Sequence, residues 1–212
     1  MSAGPVARRG RLLLATRSEG KRRELEPMLR AHGWEVVDLD AAGLSEEPVV
    51  EEALEDAPTF EGNALAKARH FHARSGLPTL ADDSGLSCDA LGGAPGVHSK
   101  RWSAQGERQG LALDAANNAR LLRALQGGVS RAARYVCAAA FVEGVREVVG
   151  RGETTGRILE HEEGTGGFGY DPLFFSDDLG QSFGCVSREE KARVSHRARA
   201  VSALLKKLES GS

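Results

Sequence analysis

Short apolar runs alternate with segments of helical periodicity through the first part of the chain. The apolar runs lie at residues 12–15, 34–39 and 77–81, and they predict three strands. The residues after Ser18 and the segment from Thr59 to Ser75 carry apolar side chains at helical spacing, which predicts two helices. This order of strand, helix, strand, helix and strand predicts an α/β fold.

The first predicted helix contains a proline and is followed by a glycine. Ser18 is a typical N-cap residue, and Gly33 is expected to end the helix. Pro27 lies inside the helix, where a proline removes a backbone N–H donor and clashes with the preceding turn. We therefore expect Pro27 to kink the helix or to cut it short.

Two adjacent carboxylates, Asp82 and Asp83, follow the third apolar run and precede Ser84 and Gly85. A buried strand that ends here would carry both acids at its carboxyl end. Neighbouring carboxylates repel each other and are costly to desolvate, so the pair requires a cation or a solvated turn. Because successive strand side chains point in opposite directions, we expect only one acid to bind a metal directly. The sequence Asp-Asp-Ser-Gly is also typical of a turn, and these residues alone leave both interpretations open.

The loop between the first strand and the first helix, residues 16–21, suits a phosphate group. It reads Thr-Arg-Ser-Glu-Gly-Lys. A strand–loop–helix connection points free backbone N–H groups and the positive end of the helix dipole at a ligand in the loop. Lys21 adds a mobile charge. An ordinary connection with a solvated lysine is the alternative.

One face of the second predicted helix is polar and basic. It carries Asn63, Lys67, His70 and Arg74 at positions i, i+4, i+7 and i+11. Such a stripe usually faces water. If the amino end of this helix faces the loop that carries Asp83, Asn63 and Lys67 become candidate site residues.

Two later segments are rich in residue types that contact ligands. Residues 164–172 read Gly-Thr-Gly-Gly-Phe-Gly-Tyr-Asp-Pro, and a plain turn needs neither Phe168 nor Asp171, so we expect ligand contact there. Residues 187–190 have the pattern of a capping box. The donor-bearing residues that lead into the last predicted helix are Lys191, Ser195, His196 and Arg197.

The composition argues against whole-molecule attraction to nucleic acid and against a disulfide framework. The chain has 30 acidic and 28 basic groups and a formal net charge of −2, so a polyanionic partner would need a local basic patch. The three cysteines are far apart and lack a CxxC pair, which predicts reduced thiols in a cytoplasmic protein. No segment approaches the roughly 20 apolar residues that span a bilayer. We expect residues 1–10 to form a disordered tail and the acidic segment 45–56 to have little regular structure.

Five motifs of this chain occur together, and in the same order, in a known family. They are Thr16-x-Ser18-x-x-Lys21-x-x-Glu24; Thr-Phe-Glu-Gly-Asn-Ala-Leu-Ala-Lys-Ala at 59–68; Ala-Asp-Asp-Ser-Gly-Leu at 81–86 with Leu-Gly-Gly-Ala-Pro-Gly-Val at 91–97; Gly-Gly-Phe-Gly-Tyr-Asp-Pro at 166–172; and Glu190-Lys191 with Ser195-His196-Arg197. With these motifs the chain, over residues 12–208, resembles the inosine triphosphate pyrophosphatases, the Ham1/RdgB-type family of non-canonical purine (dITP/XTP) pyrophosphatases.

The resemblance implies a fold and an activity. The fold would be a single domain over residues 1–212, with a long mixed central sheet, helices on both sides, and two lobes around a nucleotide cleft. The activity would be the Mg²⁺-dependent hydrolysis of ITP, dITP and XTP to the monophosphate and pyrophosphate, which cleanses the nucleotide pool. The resemblance also implies a cytoplasmic homodimer, with neither a nucleic acid nor a membrane as partner.

The resemblance further implies roles for individual residues. Asp83 matches the general base and is one of two metal ligands; Glu55 is the other, with Glu52 as its alternative. The residues expected to contact the substrate, from the resemblance or from the polar helix face, are Thr16, Arg17, Ser18, Glu19, Gly20, Lys21, Asn63, Lys67, Ser84, Phe168, Gly169, Tyr170, Asp171, Lys191, His196 and Arg197. The family usually has asparagine where this chain has Ser18.

General chemistry agrees with these roles. Mg²⁺ prefers oxygen ligands and keeps several waters, which fits a site of one or two carboxylates. Donors from His196, Arg197 or backbone amides would satisfy the oxygen at position 6 of hypoxanthine or xanthine, whereas they would remain unpaired against the amino group of adenine. Phe168 offers a face for stacking. Two alternatives stay open: a Maf-like pyrophosphatase for modified pyrimidine nucleotides, and a non-catalytic nucleotide- or nucleic-acid-binding module that uses the basic stripe.

Overall fold

The computed structural model describes residues 8–103 and 110–210, and within them the chain forms seven β-strands and six α-helices. The strands are β1 Gly10–Leu14, β2 Trp34–Val37, β3 Thr79–Cys88, β4 Ala132–Glu143, β5 Arg146–Ile158, β6 Phe174–Ser176 and β7 Gln181–Ser182. The helices are α1 Glu19–Ala31, α2 Pro48–Ala53, α3 Phe60–Ser75, α4 Gly110–Ala124, α5 Arg188–Val194 and α6 His196–Ser210. Short 3-10 turns follow β3 and precede β6.

The strands form one mixed sheet in the order β2-β1-β3-β4-β5-β6-β7. Strand β1 pairs in parallel with β2 and with β3, and each of these connections contains at least one helix, as a parallel pair requires. At the other side of the sheet, β6 pairs antiparallel with β5 and with β7. The predicted α/β class and mixed sheet are therefore confirmed.

The chain separates into two compact units. Among the described residues, the first unit contains 8–83, Ala138–Gly152 and 197–210, and the second contains Ser84–Cys137 and Glu153–His196. Strands β3, β4 and β5 each contribute residues to both units.

Helices α1 and α3 begin where their sequence signals predict. The Ser18 hydroxyl accepts from the Lys21 N–H at 3.4 Å, and the Thr59 hydroxyl accepts from the Gly62 N–H at 3.1 Å. Gly76, with φ of +68°, ends α3 in the left-handed conformation that favours glycine.

The expectation that Pro27 would cut α1 short is wrong. Helix α1 continues through Pro27 to Ala31. Leu25 and Leu29, on either side of the proline, are fully buried. Their packing stabilises the helix where the backbone lacks one hydrogen bond.

The expectation that the two aspartates lie at the carboxyl end of the third strand is also wrong. Strand β3 runs on through Asp82, Asp83, Ser84 and Gly85 to Cys88, so the acids lie in the middle of a strand and the turn interpretation fails. Gly85 allows this continuation because a Cβ atom there would lie only 2.4 Å from the Gly96 carbonyl oxygen. The missing side chain leaves room for the neighbouring backbone.

Other local predictions have mixed outcomes. The capping box at Ser187 and Glu190 forms at the start of α5, as predicted. The acidic segment 45–56, expected to have little regular structure, contains helix α2.

Three further expectations concern the amino-terminal tail, the cysteines and membrane-spanning helices. Of the tail predicted at residues 1–10, residues 1–7 lie outside the described residues, whereas Gly10 opens β1. All three cysteines lie in the described part of the chain, and all three are free thiols. None of the helices in residues 8–103 and 110–210 has the length and apolar character that crossing a bilayer requires.

Candidate active site

The loop at residues 16–21 joins β1 to α1, and its side chains are held by contacts within the first unit. The Ser18 N–H donates to the Thr16 hydroxyl at 3.2 Å, while the Ser18 hydroxyl caps α1. Glu19 is exposed and pairs with Arg23 one turn further along α1. The loop thus presents the amino end of a thirteen-residue helix, the arrangement that binds phosphate in many proteins.

Asp82 is the buried counter-ion of two cations from opposite ends of the sequence. Its side chain is fully buried, and its Oδ2 lies 2.9 Å from Lys21 Nζ and 3.6 Å from Arg197 Nε. Arg197 also donates to Glu24 at 2.8 Å. Burial opposes ionisation most strongly, but the charges of Lys21 and Arg197 outweigh it and hold the pKa of Asp82 below its usual value. Lys21, expected to be a mobile charge, is therefore anchored.

Asp83 lies on the opposite side of β3 in a second buried cluster. Asn63 Nδ2 donates to Asp83 Oδ2 at 2.9 Å, and Lys67 Nζ donates to Asp83 Oδ1 at 3.3 Å. Asn63 is itself fixed, because its Oδ1 accepts from the Ala57 N–H at 2.8 Å. The alternation of strand side chains thus separates the two acids, and the amino end of α3 faces Asp83.

Lys67 stands between two carboxylates. Besides Asp83, its ammonium group donates to Glu55 Oε1 at 2.9 Å. Burial disfavours the ammonium form most strongly, yet Asp83 and then Glu55 raise the pKa of Lys67 above its usual value. The charged ammonium marks a point on which both carboxylates converge.

Glu55 and Asp83 fit the requirements of Mg²⁺. They supply oxygen ligands around a position that a cation already occupies, and Mg²⁺ usually takes one or two carboxylates together with waters and phosphate oxygens. Glu52 is exposed, so the structure favours Glu55 over it. In residues 8–103 and 110–210, no group of three or more histidine, cysteine, aspartate or glutamate side chains is placed to hold a metal ion.

The basic stripe on α3 is divided in the structure. Asn63 and Lys67 are buried against acids, as described above, whereas Arg74 donates to Glu47 at 2.7 Å and contacts His70 at 3.4 Å. The stripe is not a continuous free positive surface, which argues against a nucleic-acid-binding module.

The Arg17 guanidinium, which lies in the loop at residues 16–21, is paired with other residues of the first unit. Its guanidinium donates to both carboxylate oxygens of Glu51, at 3.2 and 2.9 Å, to Asp40 at 3.1 Å and to the Leu44 carbonyl at 2.9 Å. Two of these four bonds tie the loop to Glu51 in α2, and the other two reach residues that precede the acidic segment.

In the second unit, Asp171 organises the glycine-rich loop at residues 164–172. Its Oδ2 accepts from Lys191 Nζ at 2.6 Å and from the Phe168 N–H at 2.9 Å, and its Oδ1 accepts from the Tyr135 hydroxyl at 3.2 Å. Gly167, with φ of +74°, admits the carboxylate, since a Cβ there would lie 2.1 Å from Asp171 Oδ2. Asp171 is a buried anchor for residues expected to contact the substrate.

Aromatic rings surround the same anchor. The Tyr135 ring stacks on the His196 ring, with centroids 4.6 Å apart and 7° between planes. The Lys191 ammonium lies 5.0 Å from the Phe168 ring and 5.3 Å from the Phe183 ring, within the range of cation–π attraction. His196 and Lys191 are thus buried and held at fixed positions.

Helix α4 and the turn after β3 fix the next two residues of the glycine-rich loop. The Gly169 N–H donates to Asp114 at 2.9 Å, and the Gly169 carbonyl accepts from Asn118 at 3.2 Å. The Tyr170 hydroxyl donates to the Ser99 carbonyl at 2.9 Å, and burial raises the pKa of Tyr170 above its usual value. Gly169 and Tyr170, expected to contact the substrate, carry structural bonds here.

The structure distributes the sequence-predicted residues between the two units. Those gathered around Asp82 and Asp83 in the first unit are Lys21, Glu55, Asn63, Lys67 and Arg197, and those gathered around Asp171 in the second unit are Phe168, Gly169, Tyr170, Lys191 and His196. Ser84 is the first residue of the second unit and is half-buried in β3.

Sequence reasoning missed several residues of these networks: Tyr135, Asp114, Asn118 and Ser99 in the second unit, and Glu51, the partner of Arg17, in the first. Tyr135 lies in a buried apolar strand, so its sequence context is typical of a core residue. The one signal was its hydroxyl group, because a buried hydroxyl needs a hydrogen-bond partner. Asp114, Asn118 and Ser99 gave no local signal, since each acts on a loop distant in sequence.

The chain has close relatives among known proteins. The sequence matches the Ham1 family over residues 12–207. A Ralstonia nicotianae protein described as a dITP/XTP pyrophosphatase is 42% identical over 203 residues, which cover 93% of this chain and 96% of that protein.

Two solved structures share the fold. A HAM1 protein from Coxiella burnetii has a TM-score of 0.80 and 30% identity, over 94% of this chain and 98% of that one. A nucleoside-triphosphatase / dITP/XTP pyrophosphatase from Mycobacterium abscessus has a TM-score of 0.69 and 41% identity, over 92% of this chain and 98% of that one. The match over almost the whole chain establishes that this protein belongs to the Ham1 family.

Proposed function

We propose that this protein hydrolyses dITP, XTP and ITP to the nucleoside monophosphate and pyrophosphate. The relatives described as dITP/XTP pyrophosphatases support the reaction class and the substrates. The structural observation that carries the proposal is the buried carboxylate of Asp83, which Asn63 and Lys67 hold in one orientation beside Glu55.

In the proposed reaction, Asp83 acts as the general base. A water molecule attacks the α-phosphorus atom, the bond from this phosphorus to the bridging oxygen breaks, and Asp83 takes the proton of the water. The hydrogen bond from Asn63 to Oδ2 restricts the carboxylate to one rotamer, so the base needs no reorientation before it accepts the proton.

We propose that Glu55 and Asp83 hold Mg²⁺ when the nucleotide is bound. The ion would supply charge neutralisation for the triphosphate. Lys67 contributes a fixed positive charge beside the leaving pyrophosphate, and the amino end of α1 with Lys21 offers donors to the phosphate oxygens.

Base selection is assigned to the residues that Asp171 and Tyr135 hold in place. Phe168 would stack on the purine, and His196 would donate to the oxygen at position 6, as would Arg197, which Asp82 and Glu24 hold in place. These donors would remain unpaired against the amino group of adenine, and a buried unpaired donor costs about 1–3 kcal/mol, so two of them give a discrimination of about 30-fold or more.

The proposal also includes a homodimeric state and a cytoplasmic location. The homodimer follows from the resemblance to the pyrophosphatase family, and a size measurement in solution tests it. A cytoplasmic location follows from the three free cysteines, two of which are buried and unavailable for exchange.

A nucleotide panel with product identification tests the proposed function. We expect pyrophosphate, and not orthophosphate, from ITP, dITP and XTP, in a reaction that stops when Mg²⁺ is chelated. ATP should react more slowly by about 30-fold or more, because adenine lacks the oxygen at position 6, and GTP should also react more slowly than ITP. Equal turnover of all purine triphosphates would refute the selectivity, and orthophosphate release would refute the position of cleavage. Preferential turnover of modified pyrimidine triphosphates would favour the Maf-like alternative.

A further inference from the structure

Arg17 lies in the loop expected to bind phosphate, but its guanidinium faces another part of the first unit. The Nε and Nη2 atoms donate to the two oxygens of Glu51, which is the bidentate geometry of a strong arginine–carboxylate pair. The remaining donors reach Asp40 and the Leu44 carbonyl. Four of the donated bonds that a guanidinium can make are therefore directed at residues 40–51 and not at the loop.

Helix α2 buries none of its side chains in the protein core. All six of its residues are described, and none of them is buried; Val49 is 84% exposed. Glu51 is the contact of this helix with Arg17, and the Glu51 side chain is only 16% exposed. A helix this short is not stable by itself, so its position depends on polar contacts: the pair of Glu51 with Arg17, and the bond from Arg74 to the N-cap residue Glu47.

The position of α2 fixes where Glu55 lies. Leu54 caps the carboxyl end of α2, and the Glu55 N–H donates to the Glu52 carbonyl at 3.1 Å, so Glu55 continues directly from the helix. The Glu55 carboxylate then reaches Lys67, which also contacts Asp83. Any displacement of α2 is passed on to Glu55 through only two residues of backbone.

We propose that Arg17 is a positioning residue that holds Glu55 toward Asp83 through Glu51 and α2, and that it is not a ligand of the substrate phosphates. This inference rests on the proposed function only where it concerns Mg²⁺. The mechanical part, in which Arg17 and Glu51 fix α2, is independent of any activity.

The first measurement needs neither metal nor substrate. Amide hydrogen exchange of residues 48–55 in the metal-free protein should be about tenfold faster in Arg17→Ala and in Glu51→Gln, because a charge-assisted bidentate pair is lost. The double variant should match the single variants, since both remove the same interaction. Arg69→Ala is the matched control: Arg69 makes an equally bidentate pair with Glu147 on the surface of α3, and its loss should leave the exchange of residues 48–55 unchanged.

The second measurement separates positioning from phosphate binding. With ITP as substrate, Arg17→Ala and Glu51→Gln should both raise the half-saturating Mg²⁺ concentration, by about three- to tenfold, and leave KM for ITP at saturating Mg²⁺ within about twofold. If Arg17 binds phosphate instead, Arg17→Ala will raise KM for ITP about tenfold or more while Glu51→Gln, which frees the guanidinium, leaves KM unchanged or lowers it.

The outcomes distinguish the inference from the proposed function. Unchanged exchange of residues 48–55 in both variants, or additive effects in the double variant, would overturn the positioning role even in a fully active enzyme. Faster exchange in both variants, with an intact wild-type protein that does not hydrolyse ITP, would support the positioning role and refute the proposed function alone.

Discussion

The adjacent aspartates of β3 are predicted to have opposite phenotypes when each is changed to asparagine. Asp82→Asn should lower the free energy of unfolding by about 3 kcal/mol, because it leaves a cation without its buried partner. Asp83→Asn should change stability by about 1 kcal/mol or less and reduce turnover by about 100-fold or more. The two changes are chemically identical and one residue apart, so each variant is the control for the other.

The two stability changes follow from the contacts that the partners of each aspartate keep after the substitution. Breaking a buried ion pair by removing one partner costs about 3–5 kcal/mol. In Asp82→Asn, Arg197 keeps Glu24, and Lys21 is 17% exposed, so water compensates in part and the lower end of this range applies. In Asp83→Asn, Lys67 keeps Glu55, and the new amide oxygen can still accept from Asn63.

Urea unfolding at neutral pH, without metal or nucleotide, measures both stabilities. For a protein of this size, about 3 kcal/mol corresponds to a shift in Tm of about 6–12 °C. Turnover of ITP is measured at a temperature at which both variants are folded. Equal stability losses in the two variants, or a larger loss in Asp83→Asn, would refute the assignment of Asp82 to structure and Asp83 to chemistry.

Two further predictions concern acid stability and the Asp171 anchor. Because the folded-state pKa of Asp82 lies below its ordinary value of 3.8, the stabilisation by its carboxylate is complete above that pH and is lost as the pH falls through the folded-state pKa. Urea titrations on both sides of pH 3.8 should therefore show that acid lowers the free energy of unfolding less in Asp82→Asn than in the wild type. An equal decrease in both proteins would contradict the charge pairing. Tyr135→Phe keeps the ring stack on His196 but removes the hydroxyl that donates to Asp171, so it should lower the free energy of unfolding by about 1–2 kcal/mol. An unchanged free energy of unfolding would show that Asp171 does not depend on this bond.

Elements with local signals were predictable from the sequence. The start of α3 at Thr59 and its end at Gly76 depend on a hydroxyl that caps the first turn and on a residue that tolerates positive φ. The capping box at Ser187 and Glu190 is similarly contained within four residues. Such features require no knowledge of which segments meet in space.

The path of β3 was not predictable in this way. Two aspartates in the middle of a buried strand are unfavourable until Lys21 and Arg197 are known to meet the first, and Asn63 and Lys67 the second. These partners lie on α1, α6 and α3. The sequence pattern around the acids predicts a strand end, because all the residues that compensate their buried charges lie on distant segments.

Arg17 shows the same limit in the candidate site. An arginine in a loop before a helix is typical of phosphate binding. The competing partner, Glu51, lies in an acidic segment that resembles a solvated charge run, and nothing in the sequence distinguishes this glutamate from its neighbours. Only the folded arrangement of the first unit shows that the guanidinium is already paired.

The charge balance around β3 gives a physical reason for the proposed metal requirement. Within the described part of the first unit, ion pairs around Asp82 and Asp83 join four carboxylates to three cations; these residues are Glu24, Glu55, Asp82, Asp83, Lys21, Lys67 and Arg197. The three cations are therefore already engaged when a nucleoside triphosphate, itself strongly anionic, approaches. A lysine that turned to a phosphate would weaken its pair with a buried carboxylate, and this loss offsets part of the gain. A divalent cation that enters with the nucleotide lessens this conflict, because it would add two positive charges between the phosphates and the carboxylates of Glu55 and Asp83, while Asp82 keeps Lys21 and Arg197.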